Sequence, residues 1–401
     1  MGSQTRDIAA AREAEVVEFL RALVHTPSPS AGEGDVVALL AERMADLGFD
    51  DVFVDDHGSV VGRIGNGPTK ILYDSHIDHV GVGDRAEWRN DPFEPVLEDG
   101  VVYGRGACDD KGGMASMVLG AGLAKEMGAL DGVTLYVVGS VQEEDCDGLA
   151  LEHLLLHTLP RPDLVVLGEP TRGQVYRGHR GRIDVLVRTR GSSCHASAPV
   201  RGRNPVYDLA PIVNEIRDLN ERLAFHDELG AGTVALTKIE CETPSLNAVP
   251  STATIYLDRR MTMGETVESA LEEIRSLPSL RAVDAEVELV AYEAESFTGS
   301  TLTADRHFPT WLTPADHVGV RAGVKTVERT LQRAPEIGCW AFSTNGVASM
   351  GKLGIPTIGF GPGDEQHAHS VTDQCPVADL VDCVAFYADF PAVYTASVLT
   401  A

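Results

Sequence analysis

Apolar residues along the chain form two kinds of pattern, short runs rich in apolar residues and longer stretches with helical spacing. Short apolar runs bounded by glycine and proline are typical of strands buried on both faces, as in a largely parallel sheet. Such runs occur at 52–54, 60–64, 70–73, 133–141 and 163–167. Helices are predicted at 7–24, 34–48 and 112–128, the last rich in small residues. The pattern predicts an α/β fold, a mostly parallel sheet flanked by helices.

The pattern changes near Gly181, where Ile183, Val185 and Val187 alternate with polar residues as in a half-exposed strand. The predicted elements that follow complete a β-α-β-β-α-β order: a helix from 212, strands at 232–239 and 252–260, a helix near 267–274 and a strand at 286–289. This order is that of a ferredoxin-like unit. Because candidate metal ligands resume after it, we predict a discontinuous catalytic domain, 1–180 and 293–401, with a small domain inserted at 181–292.

Composition excludes several classes of protein. The 401 residues are 43% hydrophobic, enough for two cores, and no apolar stretch approaches the ~18 residues of a membrane span. The formal net charge of -27 argues against nucleic acid and anionic membrane surfaces as partners. The seven cysteines are scattered without a C-x-x-C pair, so we expect a cytoplasmic protein without a disulfide framework.

Acidic and histidine residues follow the predicted strands or a glycine turn. They are His76, Asp78, Asp109, Glu143, Glu144, Glu169 and His369. Because ligands of open α/β sheets gather at the carboxyl ends of the strands, we expect these side chains to meet at one edge. Two imidazoles and three carboxylates suit two zinc ions that share a bridging carboxylate, with cobalt or manganese as substitutes.

Position within the motifs suggests individual roles. Asp78, on the same face of an extended segment as His76, can accept the second ring N–H of that imidazole. Asp109 follows a flexible glycine turn and can reach both metal ions, which would otherwise repel each other. Of the adjacent Glu143 and Glu144, one can bind metal while the other exchanges protons with water.

Other interpretations of these motifs are weaker. Gly104-x-Gly106 lacks the third glycine of a phosphate loop, and the two aspartates that follow would repel phosphate. Cys194 and His195 are adjacent in sequence, whereas a nucleophile and its base must face each other in space. His367 competes with His369 for the role of second imidazole ligand.

These motifs resemble those of the M20 metallopeptidases and deacylases, and the resemblance runs nearly end to end. The matching segments are His76-Ile77-Asp78, Gly104 to Gly112, Gln142-Glu143-Glu144, Gly168 to Thr171 and Gly361 to His369. The resemblance implies two zinc ions per chain, with His76 and Glu169 on one, Glu144 and His369 on the other, and Asp109 on both. It also implies that Glu143 is the general base.

The same resemblance extends to the small domain, which it identifies as a lid and dimerisation domain. It implies that His195 reaches the reacting carbonyl, commonly in the partner subunit of a homodimer. Asn247 and Arg260 are implied to hold a carboxylate of a small substrate, and Arg180 is a further candidate. Some stretches are most similar to a subgroup of selenium-metabolism-linked hydrolases, a label that identifies no substrate.

Three positions depart from the family pattern, namely Asp110, Asn345 and Asp373, and they bear on the substrate subtype. We expect a zinc-dependent hydrolase that cleaves the amide bond of a small N-acyl amino acid or a dipeptide. The alternatives are a hydrolase of carbamoyl or ureido compounds in purine or pyrimidine breakdown, a one-zinc hydrolase, and an inactive metal-binding or assembly protein.

Overall fold

The computed structural model describes residues 2–400. Within this range the α-helices are α1 (Gly2–Ala10), α2 (Glu13–His25), α3 (Gly34–Asp46), α4 (Lys111–Glu126), α5 (Leu149–His157), α6 (Pro205–Leu219), α7 (Val267–Arg275), α8 (Pro278–Arg281), α9 (Val318–Thr330) and α10 (Val377–Val398). The single helix predicted at 7–24 is divided into α1 and α2 by a turn at residues 11 and 12. None of the helices described between residues 2 and 400 is long and apolar enough to cross a membrane.

The strands are more numerous than the sequence pattern predicts. They are β1 (Asp51–Val54), β2 (Val60–Gly65), β3 (Thr69–His76), β4 (Val96–Glu98), β5 (Val101–Tyr103), β6 (Val133–Ser140), β7 (Leu164–Leu167), β8 (Val175–His179), β9 (Gly181–Arg190), β10 (Phe225–His226), β11 (Gly230–Ala231), β12 (Thr233–Glu242), β13 (Thr252–Met261), β14 (Ala285–Leu289), β15 (Ala291–Glu295), β16 (Thr301–Asp305), β17 (His307–Phe308), β18 (Trp311–Leu312), β19 (Ile337–Trp340), β20 (Thr357–Gly359) and β21 (Gln374–Pro376).

The large sheet has the order β1-β2-β6-β3-β7-β20-β8-β18, and β19 also pairs with β8. Its four central strands, β6, β3, β7 and β20, are parallel to one another. Of the strands that flank them, β2 is antiparallel to β6 and β8 is antiparallel to β20, while β19 pairs with β8 in parallel. The predicted helix-flanked parallel sheet is confirmed at its centre, and antiparallel pairs adjoin it on both sides.

The central strands are buried along most of their length because helices cover both faces of the sheet. In β3, Ile71 and Tyr73 belong to the hydrophobic cluster that includes α4 and α10. Leu72, between them, belongs to a separate cluster with Leu151 and Leu154 of α5. Successive side chains of a strand point to opposite faces, so a strand covered on both sides shows no alternation of apolar and polar residues.

The small sheet has the order β12-β13-β9-β14, and its strands are antiparallel. Along the chain its elements occur as β9-α6-β12-β13-α7-β14, the predicted β-α-β-β-α-β order. A hydrophobic cluster that runs from Ile183 to Val287 lies between this sheet and its helices. The boundaries 1–180, 181–292 and 293–401 stay a prediction, with residues 1 and 401 outside the described range. The separate hydrophobic cluster of the small sheet supports these boundaries, although β17, which follows residue 292 in the chain, also pairs with β9.

Candidate metal centre and active site

The predicted ligands lie at the carboxyl ends of the four parallel strands. His76 is the last residue of β3 and is paired in register with Ser140, the last residue of β6. Glu143 and Glu144 lie in the turn after β6, Glu169 follows β7, and His369 lies in the loop after β20. Because parallel strands end at the same edge of a sheet, these side chains meet there.

Asp109 reaches the same edge from a different direction. It lies immediately before α4, in a loop that begins after β5. β21, a few residues after His369, pairs with β5, with Gln374 opposite Tyr103. This pairing holds the loop of His369 beside the loop of Asp109.

The five side chains form one compact cluster around Asp109. Its Oδ1 lies 2.9 Å from Nε2 of His76, and its Oδ2 lies 3.2 Å from Nε2 of His369. Oε2 of Glu144 lies 2.8 Å from Nε2 of His369, and Oε1 of Glu169 lies 3.9 Å from Nε2 of His76. Each oxygen of Asp109 therefore faces a different imidazole, the arrangement expected of a carboxylate shared between two metal ions.

Proximity strongly shifts the pKa values of the cluster. Burial alone would raise the pKa of Asp109, but its contacts with His369 and His76 outweigh burial and hold that pKa well below its usual value. Hydrogen bonds with Asp109 and Glu144 raise the pKa of His369 to about 10. Burial, followed by the nearby Asp147, raises the pKa of Glu143 well above its usual value.

The donor set fits divalent metal ions. His76, Asp109 and Glu144 form one group whose potential ligand atoms all lie within 4.8 Å of one another, and His76, Asp110 and Glu169 form another. Among the described residues, Oε2 of Glu169 is buried without a hydrogen-bond partner, as is Oε1 of Glu143. Buried carboxylate oxygens without a partner are costly, and carboxylates with imidazoles are ligands suited to zinc and related dications.

The two adjacent glutamates both line a cavity of about 270 Å³ beside the cluster, but their carboxylates make different contacts. Oε2 of Glu144 lies 2.8 Å from Nε2 of His369, whereas Oε1 of Glu143 is buried without a hydrogen-bond partner among the described residues. Asp78 holds the backbone of both, accepting from the N–H of Glu143 and from that of Glu144, each at 3.1 Å. Nδ1 of His76 lies 3.2 Å from the carbonyl oxygen of Asp78 and 3.5 Å from its Oδ1. Asp78 is thus placed to position the turn and the imidazole together.

Asp373 and Asn345 depart from the family pattern, and in the structure both form hydrogen bonds with the loops that carry the site residues. Asp373 accepts from the N–H groups of Gly106 and Cys108, at 2.7 and 2.9 Å, and from Nη1 of Arg105 at 3.1 Å. These bonds hold the loop that leads to Asp109. No local sequence signal relates residue 373 to a loop more than 260 positions away.

Asn345 has a similar role on the other side of the site. Its Nδ2 donates to Oδ2 of Asp74 at 2.9 Å and to Oγ of Ser140 at 2.8 Å, and its Oδ1 accepts from the N–H of Gly148 at 2.7 Å. These partners lie on both sides of the Glu143–Glu144 turn. Sequence reasoning also missed Glu33, which accepts from the N–H of Gln142 at 3.0 Å.

The cavity contains one of the three predicted substrate-binding residues. It is lined by Asp109, Glu143, Glu144, Asp147, Glu169, Arg182, Arg260, Phe342, Ser343, Glu365, Ala368 and His369. Arg260 is present, whereas the guanidinium of Arg180 donates to the carbonyls of Ala231 and Ala341. Nε2 of His367 lies 2.8 Å from the amide nitrogen of Gln374, whereas Nε2 of His369 contacts Asp109 and Glu144.

His195 and Asn247 lie together on the small sheet, and both are exposed. The N–H of Ala196 donates to the carbonyl oxygen of Asn247 at 2.8 Å, and residue 195 forms a β-bridge with residue 248. Of the described residues, those that line the cavity include neither His195 nor Asn247. Their role in the site stays a prediction that requires a second copy of the chain or a closing movement.

Comparisons with known proteins place this architecture in a family. The model of "Peptidase family M20/M25/M40" matches residues 72–392. The Escherichia coli K12 protein YgeY, described as uncharacterised, is 43% identical over 385 residues, which cover 96% of each chain. Succinyl-diaminopimelate desuccinylase of Gluconacetobacter diazotrophicus is 28% identical over 395 residues, covering 92% of this chain and 94% of the relative.

A solved structure shows the same fold. The M20 family metallo-carboxypeptidase Sso-CP2 from Sulfolobus solfataricus superimposes with a TM-score of 0.75 at 20% sequence identity. The match covers 95% of this chain and 99% of that chain. Placement in the selenium-linked subgroup stays a prediction. The family match, the relatives and the fold agree, and the chain belongs to peptidase family M20/M25/M40 as a metal-dependent hydrolase.

Proposed function

We propose that the protein hydrolyses the amide bond of a small N-acyl amino acid or a dipeptide, with two zinc ions and Glu143 as the general base. The observation that carries this proposal is the position of Glu143. Its carboxylate is buried, lines the cavity next to the ligand cluster, and has one oxygen without a hydrogen-bond partner among the described residues. A free carboxylate beside metal ligands is what proton transfer to and from water requires.

The ligand cluster divides into two halves that share Asp109. His76 and Glu169 would hold one zinc ion, Glu144 and His369 would hold the other, and Asp109 would bind both. When bound, the metal ions would polarise the substrate carbonyl and lower the pKa of water. Cobalt or manganese would suit the same oxygen and nitrogen donors.

The protein side chains would manage protons and position the substrate. Glu143 would take a proton from the attacking water onto its free oxygen and later give it to the departing nitrogen. Asp78 would keep Glu143 in place by accepting the hydrogen bond from its backbone N–H. Arg260, on the cavity wall, would hold the substrate carboxylate, with Asn247 and Arg180 as further candidates from the family resemblance.

We also propose that the protein acts as a homodimer formed through the small sheet. His195 is exposed and outside the cavity of its own chain. A second copy would bring His195 to the substrate oxygen, where it would donate a hydrogen bond to the charge that develops there. Its surroundings support such a contact, since Leu246 is 99% exposed and Val200 is 93% exposed. The cytoplasmic location stays a prediction.

A product-release assay tests the reaction class. The purified protein is supplied with zinc, cobalt or manganese and offered N-acyl amino acids, dipeptides and N-carbamoyl amino acids. We expect release of the free amino acid from the first two classes. Ammonia from the carbamoyl compounds alone would instead indicate the alternative reaction, and no turnover with any metal would indicate a protein without activity.

The two glutamates provide a sharper test. Glu143→Ala should retain both metal ions while turnover falls by at least ~10²–10⁴-fold, the usual contribution of a general base. Glu144→Ala should lose metal, since it removes a ligand in contact with His369. Glu143→Asp should keep more activity than Glu143→Ala because the carboxylate remains. Loss of metal from Glu143→Ala but not from Glu144→Ala would reverse the two assignments.

A further inference from the structure

Two arginines lie directly opposite each other at the cavity wall. Arg182 of β9 pairs in register with Arg260 of β13, and both side chains line the cavity. Like charges at directly opposite positions of a sheet are destabilising. The arrangement therefore needs compensation from nearby acids.

Each arginine has an acidic partner of its own. Nη2 of Arg182 donates to Oδ1 of Asp147 at 3.0 Å. Nε and Nη2 of Arg260 donate to the two oxygens of Asp258, at 2.8 and 2.9 Å. These ion pairs offset the repulsion, and they also fix the planes of the two guanidinium groups.

The acidic partners leave donors unused. Nη1 of Arg260 and Nε of Arg182 are buried and have no hydrogen-bond partner among the described residues. Nε of Arg182 lies 3.7 Å from Oδ1 of Asp184, beyond hydrogen-bonding distance. The guanidinium of Arg182 also lies 4.2 Å from the centre of the Phe308 ring, which further restricts its orientation. A buried donor without a partner is costly, so an anion that enters the cavity would be stabilised by accepting hydrogen bonds from these two N–H groups. Because both guanidinium groups are already held in place, this binding would cost little side-chain entropy.

We propose that Arg182 is a specificity-determining residue, which together with Arg260 binds one carboxylate of the substrate. The inference rests on the proposed function, because it assumes that the substrate occupies this cavity. Arg260 is already implied as a carboxylate ligand by the family resemblance, whereas no motif pointed to Arg182. Two fixed guanidinium groups bind one oxygen each, so the site favours the free acid over the corresponding uncharged amide.

The test compares acid and amide forms of the same compound. N-acetylated glycine, alanine and methionine are offered to the zinc-loaded full-length protein, each as the free acid and as the C-terminal amide. We expect wild type to prefer the acid. Arg182→Gln should reduce the acid-to-amide ratio of kcat/KM by about 10- to 100-fold, mainly through KM, since it removes a charged hydrogen bond to the substrate.

Two further variants separate substrate binding from a structural role. Arg182→Lys keeps a positive charge beside Asp147 but cannot present two parallel donors, so its ratio should fall between those of wild type and Arg182→Gln. Arg188→Gln changes another arginine of β9, whose Nη1 lies 3.2 Å from Oε2 of Glu286, and should leave the ratio unchanged. Equal losses on acid and amide in Arg182→Gln would overturn the proposal and leave Arg182 as a structural residue.

A binding measurement keeps the inference separate from the reaction. The same acid and amide pairs are titrated calorimetrically into wild type and Arg182→Gln. If none of the compounds is hydrolysed, the proposed reaction fails, yet a preference of wild type for the acids that is lost in Arg182→Gln would still support the carboxylate site. No preference for the acid in wild type, or the same preference in both proteins, would overturn it.

Discussion

Two regions were predicted to belong to one active site. One is the carboxyl edge of the large sheet, and the other is the pair of loops beside the small sheet that carry His195 and Asn247. They differ in whether the predicted side chains contact the rest of the site within one chain. At the edge, the side chains of His76, Asp109 and Glu169 are at most 8% exposed and contact one another. His195 is exposed, and its Nδ1 contacts only its own neighbour Ser197 among the described residues. The side chains at the sheet edge contact one another within one chain, whereas His195 and Asn247 are exposed to solvent.

The difference follows from the way each region is built. Neighbouring parallel strands must end at the same edge, so side chains placed after β3, β6, β7 and β20 meet without further help. No such constraint places the loops that carry His195 and Asn247 beside the cavity. If His195 acts as proposed, metal binding needs one chain, whereas full catalysis also needs closure or a second subunit.

The largest effect is expected from Asp109→Ala. Because each oxygen of Asp109 faces a different imidazole, its removal should cost both metal ions and abolish turnover. Elemental analysis of the purified variant measures this directly. Glu126→Ala, at the other end of α4, is the matched control and should keep both ions. If wild type holds one metal ion per chain and Asp109→Ala holds the same, the prediction of two metal ions that share Asp109 is wrong.

A smaller loss, about 10²–10³-fold in turnover, is expected from His195→Ala, since one hydrogen-bond donor to the developing oxyanion is removed. Metal content should stay the same as in wild type. A merely structural role for His195 would instead lower stability without this specific loss.

Mixed dimers decide whether His195 acts across the interface. Chains with Glu143→Ala and chains with His195→Ala are each impaired alone. If His195 serves the partner's cavity, a hybrid dimer combines an intact Glu143 with an intact His195 in one of its sites and regains activity. If His195 serves its own cavity, no hybrid site is intact. Activity of hybrids no higher than that of the parents, or an active monomer, would disprove the role in trans.

The smallest effect concerns stability. Asn345→Ala removes the hydrogen bonds that Asn345 makes with Asp74, Ser140 and the N–H of Gly148. We expect a loss of about 1–3 kcal/mol in the free energy of unfolding, the usual cost of buried polar groups left unpaired. Urea unfolding measures this loss. Asn214→Ala, at an exposed position of α6, should change stability by far less, and equal effects would show that the turn does not depend on Asn345.

The sequence alone predicted the central sheet and most of the candidate metal ligands. Runs such as 70–73 and 163–167, bounded by glycine and proline, are typical of strands covered on both faces, and residues that follow neighbouring parallel strands share an edge by geometry. That reasoning needs no knowledge of distant contacts, which is why His76, Glu143, Glu144, Glu169 and His369 were found from local pattern and spacing. The resemblance then distinguished the two glutamates, and their different contacts support the distinction.

Only the tertiary structure decided the parts that depend on contacts between distant segments. The register of β9 against β13 placed Arg182 opposite Arg260, and the pairing of β21 with β5 brought Asp373 to the loop of Asp109. Arg180, two residues from Arg182, is directed to backbone carbonyls instead. Residues two positions apart share a face of a continuous strand, so spacing alone would direct both arginines to the same side. The connection between β8 and β9, in which Arg180 lies, separates them, and only the tertiary structure shows it.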